Sequence, residues 1–312
     1  MSDTKRHWAD HRERGSFLLM KLTAWAVRHL GRRVLSPVLH GIVFYFFLFG
    51  RAAQTSAWQY QQHLADWSNQ AALRPTRWRV FKQFMAFADS LLDKLDMWNG
   101  TLKVEHIEIV DPALLRQELR GKRGQMLVGA HLGNLEVCRA LAELGEKVTM
   151  NVLVHTKHAE HFNRLLGEAG ATHLRLVQVS ELDPAIMLQL SQRLDRGEWL
   201  AIAGDRVALH GGRNVQVDFL GQPALFPQGP WLLAGLLKCP INLIFCLKGA
   251  RGYRVILEPF ADAIQWRRSD RQQVIAEHTQ RYADRLGFYC LEAPQQWFNF
   301  YPFWKTHDDP SA

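Results

Sequence analysis

Short apolar runs and segments with helical spacing alternate through the middle of the chain. The apolar runs cover Gln125–Ala130, Lys147–Val154, His173–Val179 and Glu198–Ala203. Helices are predicted near residues 134–144, 159–169 and 184–196. Such alternation is typical of a mostly parallel sheet with helices packed on its faces. The pattern therefore predicts an α/β fold with a mostly parallel or mixed sheet.

Other patterns flank this region on both sides. From Ala57 to Trp98, aromatic and aliphatic residues recur at helical spacing and predict helices that pack on the domain. After the alternating region, the pattern predicts an edge strand at Val215–Leu220, a helix at about Pro230–Lys238, a hairpin of Ile241–Leu247 with Tyr253–Leu257, and a long helix at Ser269–Leu286.

Two apolar segments near the N-terminus suggest membrane association. Ser16–Leu30 mixes large apolar residues with Lys21 and Arg28, as in an amphipathic helix that lies in a membrane interface. Val34–Gly50 has 17 residues, about 25 Å as a helix, which is shorter than the ~30 Å hydrocarbon layer. We interpret it as a re-entrant or in-plane segment kinked at Pro37. An ordinary buried core helix is the alternative.

Composition and charge narrow the class of protein. The 312 residues, 47% of them hydrophobic, fit N-terminal membrane-associated helices at 1–55, an α/β domain at 56–305 and a disordered tail at 306–312. A net charge of +8 favours anionic partners such as phosphates, acidic carrier proteins or anionic lipids. No nucleic-acid-binding motif occurs, so nucleic acid is not an expected partner.

Cysteine usage bears on the compartment. Cys138, Cys239, Cys246 and Cys290 lie mostly in apolar stretches without C-x-x-C spacing. Buried free thiols are typical of a reducing compartment. We therefore expect the catalytic part on the cytoplasmic side. However, the cations that precede Val34–Gly50 would send it outside if that segment crossed the membrane once, and an in-plane segment removes this conflict.

The strongest candidate for chemistry is the run QMLVGAHLGNLE at residues 125–136. It predicts a strand, a turn and the start of a helix, so that His131 lies at the carboxyl end of a strand, where α/β sheets bind ligands. Asn134 is a suitable N-cap, and Glu136 in the first helical turn can reach back toward the imidazole. His131 and Glu136 could then act as a general base and the carboxylate that orients it. A structural role for such a histidine remains the alternative.

Four segments in order carry a resemblance to a known family. The motif H-x4-E at His131–Glu136 is followed by AIAGDR (201–206), VDFLG (217–221) with PALFPQGPW (223–231), and APQQWF (293–298). Their order and spacing hold from about Leu22 to Phe303. This arrangement resembles the lysophospholipid acyltransferase superfamily, closest to the bacterial lipid A biosynthesis acyltransferases.

The resemblance implies an acyltransferase that needs no cofactor and no metal. Acyl carrier protein would supply the acyl thioester, and a lipid-type molecule at the inner membrane, on its cytoplasmic face, would accept the acyl group. The residues implied are His131 and Glu136 as the catalytic pair, Gly133 as an oxyanion donor, and Asn134, His155, Asp205 and Arg206 in substrate binding.

The acceptor and the class of activity keep several alternatives. His155 and Lys157 stand where the closest relatives commonly have Arg, and Phe226–Gly229 replaces a Thr-rich turn. The acceptor could therefore be a lipid A precursor, another outer-membrane lipid or a polyene pigment. The rival classes are a non-catalytic lipid-binding protein on the same fold and a thioester hydrolase, in which the same pair of residues would activate water.

Overall fold

A computed structural model describes residues 36–98, 107–121, 123–135, 148–154, 174–178, 183–207 and 213–304. The strands in these ranges are β1 (Ile107–Ile109), β2 (Met126–Gly129), β3 (Met150–Val154), β4 (Leu174–Gln178), β5 (Trp199–Ala203), β6 (Asn214–Phe219), β7 (Gln222–Pro227), β8 (Ile241–Gly249) and β9 (Gly252–Ala261). The helices are α1 (Ser36–Phe49), α2 (Arg51–Ser68), α3 (Arg77–Trp98), α4 (Pro112–Leu119), α5 (Pro184–Asp195), α6 (Gly229–Leu237) and α7 (Arg271–Glu292).

A seven-stranded sheet in the order β1-β9-β8-β2-β5-β3-β4 forms the centre of the protein. Strands β8, β2, β5, β3 and β4 run parallel, whereas β9 is antiparallel to β8. All four residues of β2 are buried, as expected for a central parallel strand covered on both faces. Gly129 of β2 pairs with Ala203 of β5, so these two strands end side by side.

The predicted α/β fold with a mostly parallel, mixed sheet is confirmed. All four alternating strands form within a few residues of their predicted positions, and the predicted hairpin forms as β8 and β9. Helices α5, α6 and α7 also match their predicted segments. The predicted helices near 134–144 and 159–169 lie almost entirely outside the described residues.

The predicted edge strand at Val215–Leu220 forms, but outside the seven-stranded sheet. It forms β6, which pairs only with β7 in a separate two-stranded antiparallel sheet. Strand β7 was not predicted from the sequence, because it has proline near each end, at Pro223 and Pro227, and proline disfavours a strand assignment. Proline lacks an amide donor and is tolerated where a strand has an unpaired side, as in this hairpin. The three-residue strand β1 and the short helix α4 were not predicted either.

The N-terminal apolar segment forms α1, and the chain bends by 90° between α1 and α2. The bend lies at Gly50, not at Pro37 as predicted. Pro37 lies in the first turn of α1, where the missing amide hydrogen costs no hydrogen bond. None of the described helices is by itself long and apolar enough to span a membrane, and the bent pair α1–α2 meets that criterion only jointly.

Helix α1 is not the buried core helix of the alternative interpretation. Val43 and Phe47 are buried, and Phe47 packs edge-on against Phe81 of α3. Leu39 is half-buried, and seven other large apolar side chains of α1 are exposed: Val38, Ile42, Phe44, Tyr45, Phe46, Leu48 and Phe49. The segment Ser16–Leu30 lies outside the described residues.

Two further expectations meet the structure in part. Helix α2 runs continuously from Arg51 to Ser68, so the predicted division between residues 55 and 56 falls inside a helix. Cys239, Cys246 and Cys290 are buried thiols, as predicted, and Cys138 lies outside the described residues.

Candidate active site

Two parallel strands place the site residues at the carboxyl edge of the sheet. His131 follows β2 after Ala130, and Asp205 follows β5 after Gly204. The amide of Gly204 donates a hydrogen bond to the Gly129 carbonyl at 2.9 Å, which continues the pairing of the two strands. A Cβ atom at Gly204 would lie 2.9 Å from the Val128 side chain, so glycine allows this close approach.

His131 and Asp205 form a hydrogen-bonded pair. The imidazole Nδ1 lies 2.8 Å from Asp205 Oδ1, and the backbone amide of His131 donates to Asp205 Oδ2, also at 2.8 Å. The Asp205 side chain is 2% exposed, whereas the His131 side chain is 34% exposed. The pair is therefore a buried carboxylate that holds a histidine ring at the protein surface.

The electrostatic surroundings keep Asp205 ionised. Burial raises the pKa of this carboxyl, but the His131 imidazole and amide together with the nearby Arg206 outweigh burial and hold the pKa at about 2. An ionised carboxylate only accepts hydrogen bonds, so Nδ1 of His131 carries the proton. Nε2 then carries the lone pair, and it is the ring nitrogen that can take a proton from a substrate.

The His131 loop is anchored by its own backbone. Gly133 adopts a φ of +72°, and a Cβ atom there would lie 1.8 Å from the Cys246 carbonyl oxygen. The Gly133 amide donates to the Gln296 carbonyl at 2.8 Å, and the Asn134 amide donates to the Cys246 carbonyl at 2.9 Å. The Gly133 amide is thus hydrogen-bonded within the protein, and its predicted role as an oxyanion donor stays a prediction.

Asn134 is a buried residue of the same loop, and its predicted contact with substrate stays a prediction. Its side chain is only 1% exposed. The amide donates to the Ser90 carbonyl of α3 at 3.2 Å and lies 3.5 Å from the Tyr253 hydroxyl. Asn134 therefore ties the His131 loop to α3 and β9. A cleft of about 180 Å³ adjoins this loop, lined by Ala86, Asp89, Ser90, Gly133, Lys248, Gly249, Tyr253, Gln296 and Phe298.

The remaining predicted residues fall into two groups. Arg206 lies beside the pair, and its Nη2 donates to the Phe298 carbonyl at 3.2 Å. Asp205 is buried and hydrogen-bonded to His131, and its predicted role in substrate binding stays a prediction. Glu136 and His155 lie outside the described residues, so the predicted Glu136–His131 contact stays a prediction. Within the described residues, no group of three or more His, Cys, Asp or Glu side chains is arranged to hold a metal ion.

Trp297 is a site residue that the sequence did not identify as one. Its indole Nε1 donates to Asp205 Oδ2 at 3.0 Å, although 92 positions separate the two residues. The adjacent Phe298 amide donates to the His131 carbonyl at 2.8 Å. The APQQWF match had marked this segment, but no local pattern indicated that it reaches His131 and Asp205.

A histidine held by a buried carboxylate at a sheet edge is an arrangement that suits an enzyme using general-base catalysis. The comparison with protein families gives the particular class: the model of the bacterial lipid A biosynthesis acyltransferases matches residues 4–306. The chain belongs to that family, and it is an acyltransferase. A comparison with individual curated proteins found no significant match.

Proposed function

We propose that this acyltransferase moves a fatty-acyl group from an acyl carrier protein thioester to a hydroxyl group of a lipid A precursor. His131 is the general base, and its hydrogen bond to Asp205 is the observation that carries the proposal. Membership of the family supports the transfer of an acyl group to a lipid. The carrier-protein donor follows from the sequence resemblance.

The chemistry requires one proton to move through His131. Nε2 accepts the proton of the acceptor hydroxyl while the hydroxyl oxygen attacks the thioester carbonyl carbon. The C–O bond forms, the C–S bond breaks, and the departing thiolate takes the proton from the imidazolium to leave as a thiol. The ionised Asp205 stabilises the imidazolium between these two proton transfers.

Asp205 and Glu136 are both candidates for the carboxylate that assists His131. In this structure Asp205 occupies Nδ1, the nitrogen that an orienting carboxylate must bind. If Glu136 also acts, it acts at another atom or on the substrate. Glu136→Gln should then lower the rate less than Asp205→Asn does, when the two variants are assayed side by side.

An apolar cleft supports a substrate with a long hydrocarbon chain. It lies between α1 and α3 and has a volume of about 580 Å³. Five of its lining residues are apolar (Leu39, Trp78, Phe81, Met85 and Leu92) and four are polar or charged (Ser36, His40, Lys82 and Asp89). It shares Asp89 with the smaller cleft beside Gly133. Pockets of this size and apolar lining are typical of sites for small apolar ligands.

The exposed apolar face of α1 supports attachment to a membrane. Seven of its large apolar side chains are exposed, from Val38 to Phe49, and contiguous apolar surface commonly marks a contact with protein or membrane. We place this face against the cytoplasmic surface of the inner membrane, where a lipid acceptor diffuses. Buried thiols at Cys239 and Cys290 agree with that compartment.

The test of the proposal is His131→Ala in an assay that follows acyl transfer from an acyl carrier protein thioester to a purified lipid A precursor. We expect a loss of roughly 10²- to 10⁴-fold in kcat, the usual contribution of a general base. His278→Ala is the matched control, since its ring hydrogen-bonds to the Val274 carbonyl of its own helix and packs edge-on against Phe260. Near-normal turnover by a folded His131→Ala enzyme would refute the proposal.

The same assay separates the rival activities. Accumulation of free fatty acid without acylated lipid indicates a thioester hydrolase. The absence of both products indicates a lipid-binding protein.

The acceptor is tested by mass spectrometry of lipids from a deletion strain. Loss of one acyl chain from lipid A supports our assignment, whereas an unchanged lipid A with a change in another lipid or a pigment contradicts it.

A further inference from the structure

Residues Gln296–Phe298, which we call the 296–298 segment, cross the carboxyl edge of the sheet next to the proposed catalytic pair. Gln296 binds the end of β8 through two hydrogen bonds of 2.8 Å: its side chain accepts one from the Lys248 amide and donates one to the Lys248 carbonyl. Its carbonyl accepts from Gly133 at 2.8 Å. The segment thus joins β8 to the His131 loop.

The same segment also reaches the end of β5. Trp297 pairs with Leu132 in an isolated antiparallel bridge, and its indole N–H donates to Asp205. The Phe298 amide donates to the His131 carbonyl, and its own carbonyl accepts from Arg206. The 296–298 segment therefore contacts both members of the pair, and Trp297 is the part that touches the carboxylate.

Trp297 is held so that its N–H has a fixed direction. The side chain is fully buried. Its ring packs against Tyr60 at 4.9 Å, Phe303 at 5.0 Å and Phe219 at 5.3 Å between centroids. A ring enclosed in this way has few alternative rotamers, so the indole donor stays aimed at Asp205.

Asp205 accepts three hydrogen bonds from the described residues. Oδ1 binds Nδ1 of His131, and Oδ2 binds both the His131 amide and the Trp297 indole. Bonds at both oxygens fix the plane of the carboxylate, and donors to the ionised form disfavour its protonation. The carboxylate plane in turn sets the direction from which the His131 ring is held.

We infer that Trp297 is a positioning residue for catalysis, whose indole N–H orients Asp205 and, through it, the His131 base. The inference rests on the proposed function. A purely structural role for Trp297 would predict only a loss of stability. The positioning role also predicts a change in how the pair binds protons.

The direction of that change follows from the hydrogen bonds. Removing a donor makes the carboxylate more basic, so the Asp205–His131 pair holds its protons more tightly. In the part of the chain that the structure describes, the other titratable or charged groups that act on Asp205 are Arg206, Tyr282, Cys290 and Tyr301. Burial, joined by the Asp205 charge, raises the pKa values of Tyr282, Cys290 and Tyr301, so these three stay neutral near pH 7. A shift in the acidic limb of the kcat–pH profile therefore reports on the Asp205–His131 pair.

The experiment compares Trp297→Phe with Trp304→Phe in the full-length enzyme. Trp304 belongs to the same aromatic cluster, but its indole donates to the Phe219 carbonyl at 3.2 Å. Both variants lose a buried indole. We expect only Trp297→Phe to lower kcat by about tenfold, a part of the general-base contribution, with KM little changed. The acidic limb of the kcat–pH profile of Trp297→Phe should move to higher pH.

A second variant and a second readout guard against misfolding. Replacing Trp297 by 3-benzothienylalanine, in which sulfur takes the place of the indole N–H, keeps the volume of the ring. Nitrogen NMR of labelled histidine then follows the His131 titration without any turnover. The expected result is a His131 pKa above that of the wild type in both Trp297 variants, and a wild-type value in Trp304→Phe.

The outcomes separate the two ideas. If His131→Ala is inactive while the benzothienyl variant keeps the wild-type kcat and His131 titration, Trp297 only packs and the inference is wrong. If His131→Ala retains normal turnover, the proposed function fails first. If Trp297→Phe and Trp304→Phe shift the His131 titration equally, the effect comes from the aromatic cluster and not from the indole hydrogen bond, which also overturns the inference.

Discussion

Asp205→Asn should disable the His131 base while preserving the shape of the site. Oδ1 accepts one hydrogen bond from His131 Nδ1, and Oδ2 accepts two, from the His131 amide and the Trp297 indole. An asparagine has one acceptor oxygen and one amide donor. Placing the oxygen where it keeps two bonds directs its NH2 group at Nδ1, which must then give up its proton. The proton moves to Nε2, and the base is lost.

The expected magnitude follows from that wrong tautomer. General-base catalysis contributes roughly 10²- to 10⁴-fold, and a carboxylate-to-amide change beside a catalytic histidine can remove most of it. We therefore expect kcat to fall by at least about 10²-fold near pH 7. The assay is acyl transfer from the carrier thioester to the lipid acceptor, with substrate concentration varied to separate kcat from KM.

The same substitution has a consequence for stability. The pKa of about 2 in the folded protein lies below the ordinary aspartate pKa of 3.8, so ionised Asp205 stabilises the fold by about 2 kcal/mol above pH 4. That stabilisation is lost as the pH falls from about 4 toward 2. In Asp205→Asn this pH-dependent part is absent, so the difference in unfolding free energy between wild type and variant should shrink over that range.

Glu258→Gln is the control for Asp205→Asn. The Glu258 carboxylate is bound by the Arg285 guanidinium and by the Tyr289 hydroxyl, the latter at 2.7 Å. The control variant should keep its turnover. The reasoning from the hydrogen-bond geometry is refuted if Asp205→Asn keeps kcat within threefold of the wild type and if the unfolding free energies of variant and wild type fall in parallel down to pH 2.

Two further predictions concern the His131 loop and the membrane. Gly133→Ala should lower the unfolding free energy by more than about 2 kcal/mol, because the residue has a positive φ and the added Cβ would lie 1.8 Å from the Cys246 carbonyl oxygen. Thermal melts of the control Gly249→Ala should change little, since its Cβ would lie 3.7 Å from its nearest neighbour. Equal melting temperatures for the two variants would contradict the argument. Removing residues 1–50 should weaken membrane attachment in cell fractionation, and a reporter fused after Ala312 should be cytoplasmic; a truncated protein that stays as firmly in the membrane fraction, or a periplasmic reporter, contradicts the proposed topology.

The sequence predicted the parts of the site that depend on local pattern. The apolar run before His131 and the turn after it place this residue at a strand end, and the structure has it there. The alternation of runs likewise predicts parallel strands that end at a common edge. Both are properties of neighbouring residues, which periodicity can show.

The partners of His131 could not be predicted in the same way. Asp205 lies 74 positions away in the sequence, and its contact depends on the register that pairs Gly129 with Ala203. Register and strand order result from packing across the whole sheet, and no short segment contains them. Glu136 was the natural choice from sequence alone, because it is the nearest carboxylate that follows His131 in the chain.

The order in which the site's segments leave the ribosome has a consequence for newly made enzyme. The His131 loop is synthesised first, Asp205 later, and the 296–298 segment last. Until that last segment is translated and docks, Asp205 has no indole partner, and the Gly133 amide has no Gln296 carbonyl to bind. If the early helices attach to the membrane as we propose, a nascent chain can reach it before synthesis is complete, yet it should remain catalytically silent there until translation has passed Phe298.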